Sequence, residues 1–233
     1  MALAGKIAIV TGGTGGLGRV VVRGLLDAEA TVLIPHREKE GEDPVLRGLQ
    51  SLSPRIIAYA ADLTVEGEVE RFIDSALARA GRIDILVHAA GAYAGGDRVE
   101  ETPAAVWDRM MALNLRTAFL VCRGVLPSMR KQGFGRIITI GAMPAVRPSP
   151  NRAAYAVSKR GVITLTEIIA EEVKGTGITA NVIAPGTILT DANREPGADT
   201  SAWVTPQEIT RLILHLCSDD ARLINGTTIR MFG

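Results

Sequence analysis

Seven short runs rich in β-branched residues and alanine recur along the chain: KIAIVT (6–11), ATVLIP (30–35), RIIAYAAD (55–62), IDILVHAAG (83–91), GRIITIG (135–141), ITANVIAPG (178–186) and TTIRMFG (227–233). Each is apolar on both faces, the pattern of strands covered by helices on either side of a parallel sheet; a strand with one wet face would alternate. Between them lie stretches of helical periodicity at 15–29, 65–80, 103–131, 153–174 and 206–217, with charges confined to one stripe. The order βαβα defines a doubly wound α/β fold. With 233 residues the chain fits one domain, 1–233, built on one core.

Composition excludes some partners. Charged residues make up 22% of the chain and the formal net charge is only +1, with basic residues scattered among acidic ones. No basic patch points to nucleic acid or an anionic membrane. The two cysteines, Cys122 and Cys217, lie far apart in apolar helical runs and read as buried small hydrophobes, with neither metal-ligand nor disulfide spacing. No signal-peptide pattern precedes the first strand, and no apolar run is long enough to span a bilayer, so a cytoplasmic setting is expected.

Two segments lack periodicity. From about Glu38 to Pro54 charges and glycines predict a poorly formed helix or a mobile connection. From Leu189 to Thr205 the chain carries NREPGADTS, which predicts a surface loop, and a structureless stretch of that length suggests a lid over a site.

The turn TGGTGGLG, Thr11 to Gly18, follows the first strand and opens a helix. Gly12, Gly16 and Gly18 allow a tight turn, close approach to a pyrophosphate and packing of helix on sheet, while the helix N-terminus offers unpaired N–H groups to the anion. Thr14, Gly15 and Leu17 belong to the same dinucleotide-binding turn. At the end of the second strand, where an acid often accepts hydrogen bonds from a ribose diol, stand His36 and Arg37. The planar fork of Arg37 suits a 2′-phosphate, which favours NADP over NAD, although Arg37 also reads as a solvated surface charge. Asp62, ending the third strand, is a candidate for the adenine edge or for a cap of the next helix.

Tyr155 and Lys159 lie four apart near the start of a helix and share a face. A phenol moves a proton near neutrality only where a cation favours its ionised form, and Lys159 is placed to be that cation.

Taken in order, these motifs resemble the short-chain dehydrogenase/reductase family over essentially the whole chain. The matching pieces are the TGxxxGxG turn, Asp62-Leu63, HAAG at 88–91, LNL around Asn114, YAVSK at 155–159 and PGTILT at 185–190. The resemblance implies a single Rossmann domain with seven parallel strands, and hydride transfer to or from a nicotinamide. It implies that Tyr155 is the acid/base, that Lys159 lowers its pKa and holds the nicotinamide ribose, and that Asn114 holds a water in a proton relay through a disturbed helix. It places Leu63, Ala89, Ala90 and Gly91 against the cofactor, together with Pro185, Gly186, Ile188 and Thr190, the turn that contacts the carboxamide and diphosphate. It also implies a homodimer or homotetramer through the helices at 103–131 and 153–174, which carry apolar residues beyond one core-facing stripe.

Two positions depart from the family. Where it has NNAG, His88 and Ala89 stand, and His88 reads as a structural histidine. The serine that in the family hydrogen-bonds the substrate carbonyl, thirteen residues before the tyrosine, is here Ala142. Thr139 points to the opposite face of its strand, and Ser149 lies in the following proline-rich loop. The missing serine and the tail Thr190 to Ile209 also give a partial resemblance to quinonoid dihydropteridine reductases. Three functions remain open: a reductase of a small conjugated or heterocyclic carbonyl, enone or quinonoid molecule; a conventional ketone reductase or alcohol dehydrogenase with another donor; and a nicotinamide-binding sensor with little turnover.

Overall fold

Consecutive residues of a strand face opposite sides of the sheet, and the two apolar layers of this protein follow from that alternation. The computed structural model describes residues 3–37, 43–194 and 196–232. Its strands are β1 (Ile7–Thr11), β2 (Thr31–His36), β3 (Ile56–Ala60), β4 (Ile85–His88), β5 (Gly135–Ile140), β6 (Ile178–Pro185) and β7 (Thr228–Met231). Val10, Ile34, Val87 and Ile138 join one buried layer, while their neighbours Ile9, Leu33, Leu86 and Ile137 join the other. Helices α1 (Gly18–Asp27), α2 (Pro44–Gln50) and α8 (Pro206–Cys217) close the first layer. Helices α3 (Glu66–Ala80), α5 (Thr117–Gln132) and α7 (Ala153–Glu172) close the second.

The seven strands form one all-parallel sheet in the order β3-β2-β1-β4-β5-β6-β7. The chain therefore winds one way from β1 to β3 and the other way from β4 to β7. The crevice at the carboxyl ends of β1 and β4, where the winding reverses, is where such sheets bind ligands. This is the predicted single Rossmann-type domain. Cys122 and Cys217 are buried, and burial raises each thiol to about 12, so neither has thiolate character.

Two stretches differ from expectation. The single helix predicted over 103–131 is α4 (Ala104–Met110), a π-helical segment Met111–Arg116, and α5. The widened turn sets Asn114 inward, fully buried, with every polar atom of its amide engaged by other elements. The segment predicted as poorly formed between β2 and β3 contains the ordered helix α2. Asp43 caps it by accepting from the Val45 and Leu46 N–H groups, and Leu46 and Leu49 bury beneath it; residues 38–42 lie outside the described residues.

The stretch after β6 is irregular, as expected, but tied at its base. Leu189 N–H donates to the Val204 carbonyl at 2.8 Å and Val204 N–H to the Thr187 carbonyl at 2.9 Å. A short helix α6 (Met143–Val146), unforeseen in the sequence, follows β5 and opens at Ala142.

Candidate active site

Apart from Tyr155 and Lys159, which lie on α7, every residue proposed for the cofactor lies at or just beyond the carboxyl end of a strand. Gly12 to Gly18 follow β1, His36 and Arg37 end β2, Asp62 and Leu63 follow β3, Ala89 to Gly91 follow β4, and Pro185 to Thr190 end and follow β6. Within the first turn, Gly15 N–H bonds back to the Gly12 carbonyl at 3.0 Å, and no side chain caps α1, so the start of that helix keeps N–H groups for an anion. The glycines are close-approach positions. A Cβ on Gly12 would sit 2.9 Å from Ala90 Cα, and one on Gly16 would sit 2.7 Å from the Thr190 methyl. At Gly91 a Cβ would meet Asn114 Oδ1 at 2.6 Å and Lys159 Nζ at 3.1 Å, so only glycine lets the β4 loop pass over both groups. Backbone this bare, beside an uncapped helix start, fits a dinucleotide pyrophosphate.

At the end of β2, His36 is buried and neither ring nitrogen has a partner among the described residues. Arg37 beside it is exposed. Asp62 resolves toward a local role: its Oδ1 accepts from Thr64 N–H at 2.8 Å and from the Thr64 hydroxyl at 2.7 Å, while Val65 stands at the N-cap of α3. Burial works to raise this carboxyl, but Thr64 and the charge of Arg37 outweigh it and hold it below its ordinary value. Leu63 sends its side chain into the core under α3 and α5.

Near the other end, a cleft of about 650 Å³ is lined by eight of the predicted residues: Leu17, Ala89, Gly91, Tyr155, Lys159, Pro185, Gly186 and Ile188. Burial pushes the Tyr155 phenol up to about 12, with Tyr93 adding to the rise and Arg152 opposing it. Tyr93 stacks edge-on to Tyr155 with ring centroids 5.0 Å apart. Lys159 donates to the Ile140 carbonyl at 2.8 Å, and burial draws its ammonium down to about 8. Arg152, one helical turn before the tyrosine, opposes the rise of its phenol, and it is a residue the sequence reading passed over despite its readable i, i+3 spacing.

Asn114 lies beneath these groups. Its Oδ1 accepts from Ala92 N–H at 2.8 Å, and its amide donates to the Ala92 carbonyl at 3.1 Å and to Ser158 Oγ at 2.9 Å. The side chain clamps the β4 loop to α7, and both amide hydrogens are used in doing so.

His88 is a satisfied structural histidine, as expected. Thr117 Oγ1 donates to the Leu113 carbonyl, so it accepts from His88 Nε2 at 3.3 Å; Thr11 Oγ1 accepts from Ala90 N–H and donates to His88 Nδ1 at 3.0 Å. This pattern assigns the neutral tautomer with hydrogen on Nε2. Burial, with Lys159 adding to it, lowers the ring to about 3.

Ala142 lines the cleft, and neither candidate substitute supplies a hydroxyl beside it. Thr139 is buried against Thr166, with hydroxyls 2.9 Å apart, and Ser149 accepts from Arg152 Nη1 at 3.2 Å. The remaining wall comes from residues no motif marked, among them Tyr93, Met143, Arg152, Asn193 and Trp203.

This geometry, a doubly wound sheet with a bare glycine turn and a tyrosine and lysine at its switch point, defines a nicotinamide-dinucleotide oxidoreductase. The family model described as short chain dehydrogenase matches residues 6–201, and the chain belongs to that family of NAD- or NADP-dependent enzymes. It is 32% identical to the D-beta-hydroxybutyrate dehydrogenase of Rhizobium meliloti (strain 1021), over 98% of this chain and 97% of that protein. Among solved structures, levodione reductase superposes with a TM-score of 0.90 at 28% identity, covering 99% of this chain and 97% of the other. An NAD+-bound xylitol dehydrogenase superposes at 0.91 over the full length of both chains; at 24% identity it shows the common fold.

His88 makes the protein acid-sensitive over a defined window. Its folded value near 3 lies below the ordinary 6.5, so above pH 6.5 the ring is neutral in both states. As pH falls from 6.5 to 3 the unfolded chain takes up a proton that the folded chain refuses, and stability falls by about 1.4 kcal/mol per pH unit from this group. His88→Asn keeps a hydrogen-bonding side chain without that proton. Urea unfolding between pH 7 and 4 is expected to show a shallower acid decline in the variant; parallel declines would remove His88 as the cause.

Proposed function

We propose that the protein transfers a hydride between NADP(H) and a small carbonyl, enone or quinonoid heterocyclic substrate, with Tyr155 as the acid/base. The observation that carries this reading is that Tyr155 and Lys159 line one cleft with the loops after β4 and β6, beside the glycine turn. A nicotinamide bound there supplies or accepts the hydride. Tyr155 gives the substrate oxygen its proton, or takes it in the reverse direction, and the positive field of Lys159 and Arg152 favours the ionised phenol that results. Lys159 would also hold the nicotinamide ribose. Asn114 fixes the loop over Lys159 and takes the far position in the proton path from Tyr155. The loop at 189–205 is the lid that shapes the substrate pocket.

Arg37, exposed at the end of β2 beside a histidine rather than an acid, supports NADP over NAD. Exposed Trp107 on α4, Phe119 on α5, and Val157 and Ile168 on α7 support pairing of these helices with a second copy, in a dimer or tetramer. Retention of Tyr155, Lys159 and Asn114 in one buried arrangement supports a catalyst over a sensor. The bare wall at Ala142 favours a substrate that spreads its own developing charge over one that needs a second donor for an alkoxide.

Tyr155→Phe removes only the proton-transferring oxygen, so NADPH oxidation with a panel of quinonoids, enones and ketones is expected to vanish while cofactor affinity stays near normal. Lys159→Ala is expected to weaken both. A Tyr155→Phe protein that keeps substantial turnover would reject the assigned acid. Fluorescence titration is expected to show NADPH bound more tightly than NADH, and Arg37→Ala to lower that preference by about tenfold, the worth of a charge-assisted hydrogen bond. Equal affinities in the native protein would overturn the choice of NADP. Ala142→Ser is expected to raise kcat/KM for simple ketones by about tenfold or more, within the range of one oxyanion donor, and to leave conjugated substrates nearly unchanged. Efficient ketone reduction that the serine does not improve would show that another group already supplies the donor.

A further inference from the structure

We infer that Arg152 is the specificity-determining residue of the cleft and binds a carboxylate of the substrate while Tyr155 acts on a carbonyl in the same molecule. The inference rests on the cleft being the site of hydride transfer, and it adds the chemical class that the site selects.

Arg152 stands at the N-cap of α7, three residues before Tyr155, so both side chains lie on one face and line the same cleft. It is half-buried. Its Nη1 donates to Ser149 Oγ at 3.2 Å, which positions the guanidinium while leaving most of its five donors unused. Among the described residues no carboxylate pairs with it.

The surroundings make that charge conspicuous. Beside it the wall is Ala142, Met143, Pro144 and Trp203, and no described residue lining the cleft is acidic. The other lining cation, Lys159, donates to the Ile140 carbonyl and is the one assigned to the nicotinamide ribose. Of the described carboxylates in the adjoining loop, Asp191 pairs with Arg19 at 2.7 Å and Asp199 accepts from Ser201 N–H at 2.9 Å; Glu195 lies outside the described residues. A partly desolvated cation in a cleft of mixed polarity is left to find a partner, and the planar fork of a guanidinium matches a carboxylate through two parallel hydrogen bonds. Arg152 also opposes the rise of the Tyr155 phenol, which shows that its charge reaches the reacting end of the cleft. A substrate held there by its carboxylate presents its carbonyl to Tyr155.

The test compares 4-oxopentanoate and (E)-4-oxopent-2-enoate with their methyl esters, which keep the ketone or enone and lose the charge. The native enzyme with NADPH is expected to show a higher kcat/KM for each acid than for its ester, carried mainly by KM. In Arg152→Gln the acid-to-ester ratio is expected to fall by about ten- to a hundredfold, the worth of hydrogen bonds to a charged group, with Arg152→Lys intermediate. The ratio cancels any effect of Arg152 on Tyr155, because both members of a pair use the same phenol. Esters favoured as much as acids, or a ratio unmoved in Arg152→Gln, would overturn the inference. Should no carbonyl be reduced by the native enzyme, the hydride-transfer reading falls, and calorimetric titration of 4-oxopentanoate into the NADPH-loaded protein still decides on Arg152. Binding present in the native protein and lost in Arg152→Gln supports the carboxylate site, and absence of binding refutes it.

Discussion

The hydroxyl of Thr11 ties together the point where the sheet reverses its winding. It accepts from Ala90 N–H and donates to the His88 ring, so the ends of β1 and β4 are joined by side-chain bonds as well as by their ladder. From that point the chain winds outward in both directions, and the loops after the two strands part to leave the crevice. Gly12 passes against Ala90 with no room for a Cβ, and His88 reaches on to Thr117, the first residue of α5. The glycine turn, the β4 loop and the long helix are thereby referred to one buried junction.

That junction lets the protein hold expensive groups in place. Lys159 is almost fully buried, with the Ile140 carbonyl as its protein acceptor, and burial pushes the Tyr155 phenol up to about 12. Such an arrangement weakens a fold unless the frame around it is rigid, and desolvated, perturbed groups in a cleft are the usual mark of a working site. Asn114 contributes by bonding the β4 loop on one side and Ser158 on the other, while Ser158 bonds the Tyr155 carbonyl. The helix that carries the tyrosine is thus braced to the loop after β4.

Much of this was legible in the amino-acid order. The strands appear within three residues of the runs that predict them, because burial on both faces leaves a continuous apolar signature that no distant contact is needed to read. His88 was legible as structural. The π-helical segment was foreshadowed only by the family resemblance, which implied a disturbed helix at Asn114: its apolar periodicity is that of one helix, and the displacement of Asn114 follows from partners at Ala92 and Ser158, which are remote in sequence. Helix α2 was hidden because its burial rests on only two residues, Leu46 and Leu49, set among charges and glycines.

The sequence by itself determined the layered α/β architecture, the glycine turn and the pairing of Tyr155 with Lys159, since each depends on spacing within a strand, a turn or one helix. Only the tertiary structure decided which other groups face the reacting atoms. Arg152 shares the cleft with Ala142 and Trp203 because β5, α7 and the loop after β6 converge at the carboxyl edge of the sheet, and that convergence is set by strand order. Strand order is a property of packing between segments far apart in the chain, so the meeting of Ala142, Arg152 and Trp203 in one cleft cannot be placed by local spacing.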